Sequence, residues 1–369
     1  MIREGDMSGV PLNEAGHSVE GKQQGASTGR VLYFDVLNIV ACVAVVAMHC
    51  NTMVHTYRPG MNWVMGMGIE SVCYFAVPIF FMLSGATLMR YRERYSTKTF
   101  LKKRFLKTLV PLLFFSIAIY CWRYGYEARS SEFGVRQFLI LFFSNGIEST
   151  YWFFFPLFAL YLSMPVLSLL ANNKKILWYM VAVSFALQSF FPYVFDAVGI
   201  DAWNSDLSLP VAGNSLMWAL LGFLLAETDL SKRNRLIIYA FGLFGLAFRF
   251  AYTCLFSFEA GVLDRTFFGT LSFPSVMYAT AVFVWFKQRD WGRIVSTERF
   301  ASLLSRVSSC SFGVYLIHDF ILFELVFERL GVPDTSIFLR TVGPIILYCC
   351  CLAIVFIGKK TPGVKVILP

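Results

Sequence analysis

The chain has 369 residues, of which 57% are hydrophobic and only 15% charged, and its mean hydropathy is +0.61. Soluble globular domains carry about 25% charged residues, so the length does not read as two or three soluble domains but as one polytopic membrane domain. The formal charge of +9 is weighed first against the distribution of Lys and Arg among the loops, before any nucleic-acid partner is considered.

In chain order, residues 1–29 are rich in Gly, Ser and charge and contain no apolar run. They predict a disordered tail and not a secretory signal, which needs an apolar core ahead of a small-residue cleavage site. Residues 30–369 then read as a single all-α membrane domain. Ten predominantly apolar runs of membrane-spanning length follow, at about 31–50, 66–89, 108–125, 151–171, 176–195, 209–226, 235–256, 267–286, 309–330 and 339–358. The segment RQFLILFFS, 136–144, is apolar but too short to cross, and predicts an interfacial helix on the outer surface. The nine cysteines show no metal-ligand spacing. Most lie in apolar runs as small filler, while Cys50, Cys121 and Cys254 fall near the expected outer face, where a disulfide is open.

The basic residues give the orientation. If alternate loops are counted from the N-terminal tail, one side collects 24 of the 32 Lys and Arg and the other only seven, with Arg249 inside a span. Cytoplasmic loops carry this excess, so both termini are expected in the cytoplasm. The same asymmetry accounts for the net charge without nucleic acid.

The first span, VLYFDVLNIVACVAVVAMHC from Val31 to Cys50, carries Asp35, Asn38 and His49. Eleven residues turn an ideal helix through about 1100°, roughly 20° beyond three turns, so Asn38 and His49 share a face; Asp35 falls within about 40° of it. Asn38 and His49 are then about 16 Å apart along the axis, two stations on one transmembrane passage. Polar groups at membrane depth usually face a bundle interior or a water-filled cavity. Each of the three taken singly is as readily explained by a hydrogen bond to a neighbouring helix; the shared stripe favours a functional cavity.

A second group is KTFLKKRFLKTLVP, where Lys103, Arg104 and Lys107 stand at the cytoplasmic start of the third span. Arg104 and Lys107 share a helical face, suited to an anion such as a nucleotide phosphate, although basic clusters at such places more often set topology alone. Ser84-Gly85 supplies small residues for close approach. Trp152 reads as an interfacial anchor before a lining residue, and Tyr315 and His318 lie three apart on one face of the ninth span. Arg249, Glu70 and Glu324 lie in or near spans, where they could pair.

These segments resemble the acyltransferase 3 family of integral-membrane acyltransferases: FDVLNIVACVAVVAMH, FFMLSG, FLKKRFLKTLVP, YWFFFPLFALYLSMPVL and SFGVYLIH, in this order and spacing. The likeness runs from about residue 30 to the end. It implies a protein of the bacterial cytoplasmic membrane that modifies surface or lipid-linked glycans, with acetyl-CoA as co-substrate and no metal. The family's first span pairs an Arg with a catalytic His ten intervening residues later; here the His is His49, and Asn38 stands at the Arg position. Its cytoplasmic Arg-x-x-Arg, assigned to acyl-CoA, is Arg104 and Lys107. The resemblance thus implies His49, Asn38 and Asp35 as catalytic residues and Arg104, Lys107, Lys103 and Ser84 on the donor. Trp152, Tyr315 and His318 are expected as lining residues. With an unperturbed pKa near 6.5, His49 suits a general base on a sugar hydroxyl; an acyl-histidine intermediate stays open. The rival expectation is a transporter or flippase for an amphipathic solute, but no internal repeat or matched pair of broken helices supports it.

Overall fold

The computed structural model describes residues 31–127, 133–200, 203–204, 206–207, 209, 212–295, 297–364 and 367–368. The expected tail of residues 1–29 lies outside them, as do Arg129, Asp201 and Lys365. Every regular element among the described residues is helical, and Leu32–Pro369 forms one compact unit.

Among the described residues, eight helices are long and apolar enough to cross a membrane: α1 (Leu32–His49), α2 (Met61–Glu93), α3 (Thr97–Tyr126), α5 (Ser149–Leu170), α6 (Lys174–Ala197), α8 (Lys232–Ala260), α10 (Glu298–Arg329) and α11 (Gly343–Lys360). The short α4 (Val135–Phe143) coincides with the expected interfacial segment and buries none of its residues. The other two apolar runs also form helices, but α7 (Ser215–Glu227) has 13 residues and α9 (Phe273–Lys287) has 15, short of the roughly 20 a crossing needs. Eight of the ten expected spans thus form helices of full crossing length, and α7 and α9 are shorter. For α9 the cause is local. Pro274 suits a first helical turn, where its missing N–H leaves no bond unmade, and the helix begins beside it. The preceding residues fold as a turn in which Ser272 Oγ donates to the Phe267 carbonyl.

Polar caps start four of the spans. Ser96, Asn173, Ser231 and Thr297 each accept a hydrogen bond from the backbone N–H three residues on, at the heads of α3, α6, α8 and α10, which satisfies donors that a helix otherwise leaves unpaired. In α2 the regular helix is interrupted at Tyr74 and Phe75. Pro78 lacks the N–H that would bond the Tyr74 carbonyl, which accounts for the break.

The first helix packs on α2, α10 and α11. Its contact with α10 is a series of polar rungs: Asn38 to Ser308, Cys42 to the Ser311 carbonyl, and His49 to His318. Sequence number rises together on both helices, so α1 and α10 run parallel. A second close contact joins α2 to α7, where small residues bring the backbones together. A Cβ on Gly85 would overlap the Ala219 carbonyl, and one on Gly222 would overlap the Met82 carbonyl. Neither obstacle is a flexible side-chain tip, so the helices themselves would have to part.

This predicts that Gly85→Ala and Gly222→Ala each lower the unfolding temperature in detergent. Alanine gains about 0.8–1 kcal/mol in helix propensity, but overpacking against backbone typically costs about 1–3 kcal/mol. An unchanged or raised unfolding temperature would show that the helices are not in backbone contact.

Candidate active site

A cavity of about 310 Å³ lies among α1, α2, α3, α5 and α10. Its walls are mostly apolar, from Phe80, Leu83, Phe153, Leu157 and Phe312, with Asp35, Asn38, Ser84, Arg104, Ser308, Ser311 and Tyr315 adding polar atoms. An apolar enclosure with a few converging polar groups is the usual form of a small-molecule site.

The cavity brings together residues 270 positions apart. Asn38 Nδ2 donates to the Ser308 carbonyl at 3.0 Å and lies 3.1 Å from Ser308 Oγ. Its Oδ1 is then the remaining polar atom of the amide. Asp35, three residues earlier, is buried on the same wall. Ser84 Oγ donates back to the Phe80 carbonyl one turn away at 2.8 Å. Arg104 is half-buried, and its Nε is buried without a hydrogen-bond partner. Lys103 and Lys107 are exposed and do not line this cavity; Lys103 Nζ stands 4.7 Å over the Tyr95 ring. Trp152 is 41% exposed and outside the lining, where its neighbour Phe153 takes the wall position.

At the other end of α1, His49 meets α10. His49 Nδ1 and His318 Nε2 are 2.6 Å apart, and the rings lie within 18° of parallel with centroids 4.9 Å apart. His318 is fully buried, and its Nδ1 sits 2.7 Å from the Tyr315 carbonyl and 3.2 Å from that of Val314. Asp319 Oδ1 is 4.0 Å from His49 Nδ1. Tyr315 joins the two regions, since it lines the cavity and its ring centroid is 5.5 Å from that of His318. His49, His318 and Asp319 also bring ligand atoms within 4.8 Å of one another, as a metal site would. Two imidazole nitrogens on one tetrahedral zinc, each about 2.0–2.1 Å from it, are separated by about 3.3 Å. The observed 2.6 Å is too short for that and fits an N–H···N hydrogen bond.

A charged cluster backs this pair. Arg123 Nε donates to Glu324 Oε1 at 2.8 Å and Nη1 to the Ile147 carbonyl at 2.7 Å, while Nη2 lies 3.2 Å from Glu148 Oε2. Arg123 and Glu324 both sit on wide π-type turns, Cys121–Tyr126 and Leu322–Arg329, a feature frequent at functional sites. Burial, with the Asp319 carboxyl beside it, pushes Glu148 above the ordinary carboxylate range. Two tyrosines tie α10 to the head of α5. Tyr315 donates to the Thr150 carbonyl at 2.5 Å, and Tyr151 donates to the Leu316 carbonyl at 2.7 Å. Glu324 therefore pairs with Arg123. Arg249 instead stacks 3.3 Å over the Tyr74 ring, with Glu70 as its neighbouring carboxylate.

The sequence model of a family described as an acyltransferase domain matches residues 31–359, nearly all the described structure. The chain belongs to the acyltransferase 3 family. A search of curated proteins and one of solved structures found no match. As a multi-helix membrane member of this family, the chain fits an acyltransferase.

Of the sequence-derived residues, the cavity of this family member unites Asp35, Asn38, Ser84, Arg104 and Tyr315, and His49 pairs with His318 at the other end of α1. Ser308, Ser311, Arg123, Glu148 and Asp319 were not singled out. Asp319 carried a signal, being an acidic residue beside His318 in an apolar run. Ser308 carried none, since serines are common where helices pack in membranes.

Proposed function

We propose that this family member is an O-acetyltransferase that moves an acetyl group from cytoplasmic acetyl-CoA to a hydroxyl of a surface or lipid-linked glycan. One observation carries the reading: the cavity holding Asp35, Asn38 and Arg104 shares Tyr315 with the His49–His318 pair. This supports a reading in which donor-binding groups and a base lie on one path along α1. Arg104 would hold a donor phosphate, and the apolar walls would take the pantetheine arm and acetyl group. His49, whose side chain is 29% exposed, would receive the acceptor.

In the reaction, His49 takes the proton of the acceptor hydroxyl as its oxygen attacks the thioester carbonyl carbon. The C–O bond forms, the C–S bond breaks, and the departing thiolate takes the proton from the imidazolium to give free CoA. No other reactant is needed. The basic-residue asymmetry supports ten crossings in the bacterial cytoplasmic membrane, with α7 and α9 as short crossings and both termini cytoplasmic. The parallel course of α1 and α10 agrees with their places as first and ninth crossings.

Three predictions follow from this reading. Reporters fused after Arg233 or Lys365 should report cytoplasm and one near Asp201 the exterior; a cytoplasmic signal at Asp201 would break the ten-crossing topology. Arg104→Ala should weaken acetyl-CoA binding by about one to two decades, as loss of a charge-assisted hydrogen bond costs on the order of 1.5–3 kcal/mol. Lys103→Ala and Lys107→Ala should change it less, and equal effects from all three would assign the cluster to the surface. Finally, His49→Gln should lower glycan acetylation and CoA release by about 10² to 10⁴ while acetyl-CoA binding persists. A Gln variant with near-normal turnover would rule His49 out as the base.

A further inference from the structure

We propose that His318 is a positioning residue for the reaction, selecting the tautomer of His49 so that Nε2 of His49 carries the basic lone pair. This rests on the reading of His49 as general base. The argument begins at a backbone carbonyl. His318 Nδ1 lies 2.7 Å from the oxygen of Tyr315, and a carbonyl can only accept, so Nδ1 of His318 bears the hydrogen. A neutral imidazole has one N–H. Nε2 of His318 is therefore bare and faces His49 Nδ1 at 2.6 Å. Were His49 in its other neutral tautomer, two lone pairs would meet at that distance. The stable arrangement has His49 donating from Nδ1 to His318 Nε2, which leaves Nε2 of His49 as its free lone pair.

The surroundings hold this order. His318 is fully buried and its ring is fixed by the turn of α10 that supplies both carbonyl contacts. When His49 Nε2 takes the acceptor proton, the Nδ1–H bond to His318 is retained, and the Asp319 carboxylate 4.0 Å away faces the new positive charge. Glu148 adjoins Asp319 and is in turn held by Arg123, which also binds Glu324. His55, Cys50, Tyr151 and Tyr315 are further ionisable groups near His49 and Asp319. Second-sphere partners of this kind fix tautomer and ring orientation, and a histidine held in the wrong tautomer loses up to about 10⁴ in turnover.

The experiment compares the full-length protein, purified in detergent, with His318→Ala and His318→Gln. Acetyl-CoA turnover with a glycan acceptor, binding of acetyl-CoA and thermal unfolding are measured on each. His318→Ala should lose about 10²-fold or more in kcat while its KM for acetyl-CoA moves less than about threefold, because the donor cavity is intact. His318→Gln, whose amide oxygen can accept from His49 Nδ1, should recover at least about tenfold of that loss. Nitrogen-15 spectra of the His49 ring in the unaltered protein supply a readout that does not depend on turnover or on the stability of the variants. They should show Nδ1 protonated and Nε2 bare.

A His49 protonated at Nε2, or an Ala variant with unaltered kcat, would overturn the proposal. So would loss of activity on treatment with a chelator that zinc restores, since the two histidines would then be metal ligands. If His49→Gln itself remains active, the general-base reading fails and this proposal with it. If His49→Gln is inactive but His318→Ala is not, only the positioning role is lost.

Discussion

The parallel contact of α1 with α10 is the constraint on which the rest of the site depends. Its rungs join residues that are weak helix-pairing groups singly: an amide to a serine, a thiol to a carbonyl, an imidazole to an imidazole. In a membrane interior hydrophobicity gives little preference for one helix neighbour over another, so polar contacts and close packing set the register. The near-constant offset between partners, 270 at Asn38 and 269 at His49, lets one register satisfy both ends. A slide of either helix would separate Asn38 from Ser308 and His49 from His318 together. The cavity and the histidine pair are therefore aligned by the same packing.

That alignment is expensive to hold, because ionisable groups so close to the membrane interior must be satisfied by protein. Arg123 is the compensating group beside the histidine pair. Its planar fork reaches Glu324, the Ile147 carbonyl and Glu148 in different directions at once, which a lysine could not do. It offsets one unit of carboxylate charge among Glu148, Glu324 and Asp319, and the raised affinity of Glu148 for a proton removes more. The two reciprocal tyrosine bonds then brace α10 against the head of α5, so the helix that carries His318 is fixed at the level where the imidazoles meet.

The parts of this arrangement legible in the sequence are those written within one helix. The angular arithmetic on Asp35, Asn38 and His49 placed them on one stripe, and all three do turn toward the cavity or α10. It could not supply the partners, since Ser308 and His318 belong to a helix some 270 residues away and nothing local marks the register. It could not give the helix lengths of α7 and α9, because hydropathy counts apolar residues and not backbone order. The apolar stretch from Phe267 to Leu271 is as greasy as a span, yet Pro274 and the Ser272 turn keep it out of the helix. Within the basic cluster, charge alone ranked Lys103 with Arg104. Only packing shows that Arg104 turns inward while the lysines face out.

The replacement at position 38 gains a physical account from the same contact. Where the family pattern places an arginine, Asn38 spends both its amide hydrogens on one serine of α10 and closes the helices tightly at that level. A guanidinium is longer and could not make that short bridge without swinging into the cavity beside Asp35. With asparagine there, Arg104 is the one cation among the described residues that line the cavity, and it stands on α3, across from Asp35 on α1. On the proposed function, charge recognition and helix pairing are divided between Arg104 on α3 and Asn38 on α1. Asn38 keeps α1 in register with α10, and Arg104, whose buried Nε has no hydrogen-bond partner, stands in the cavity wall.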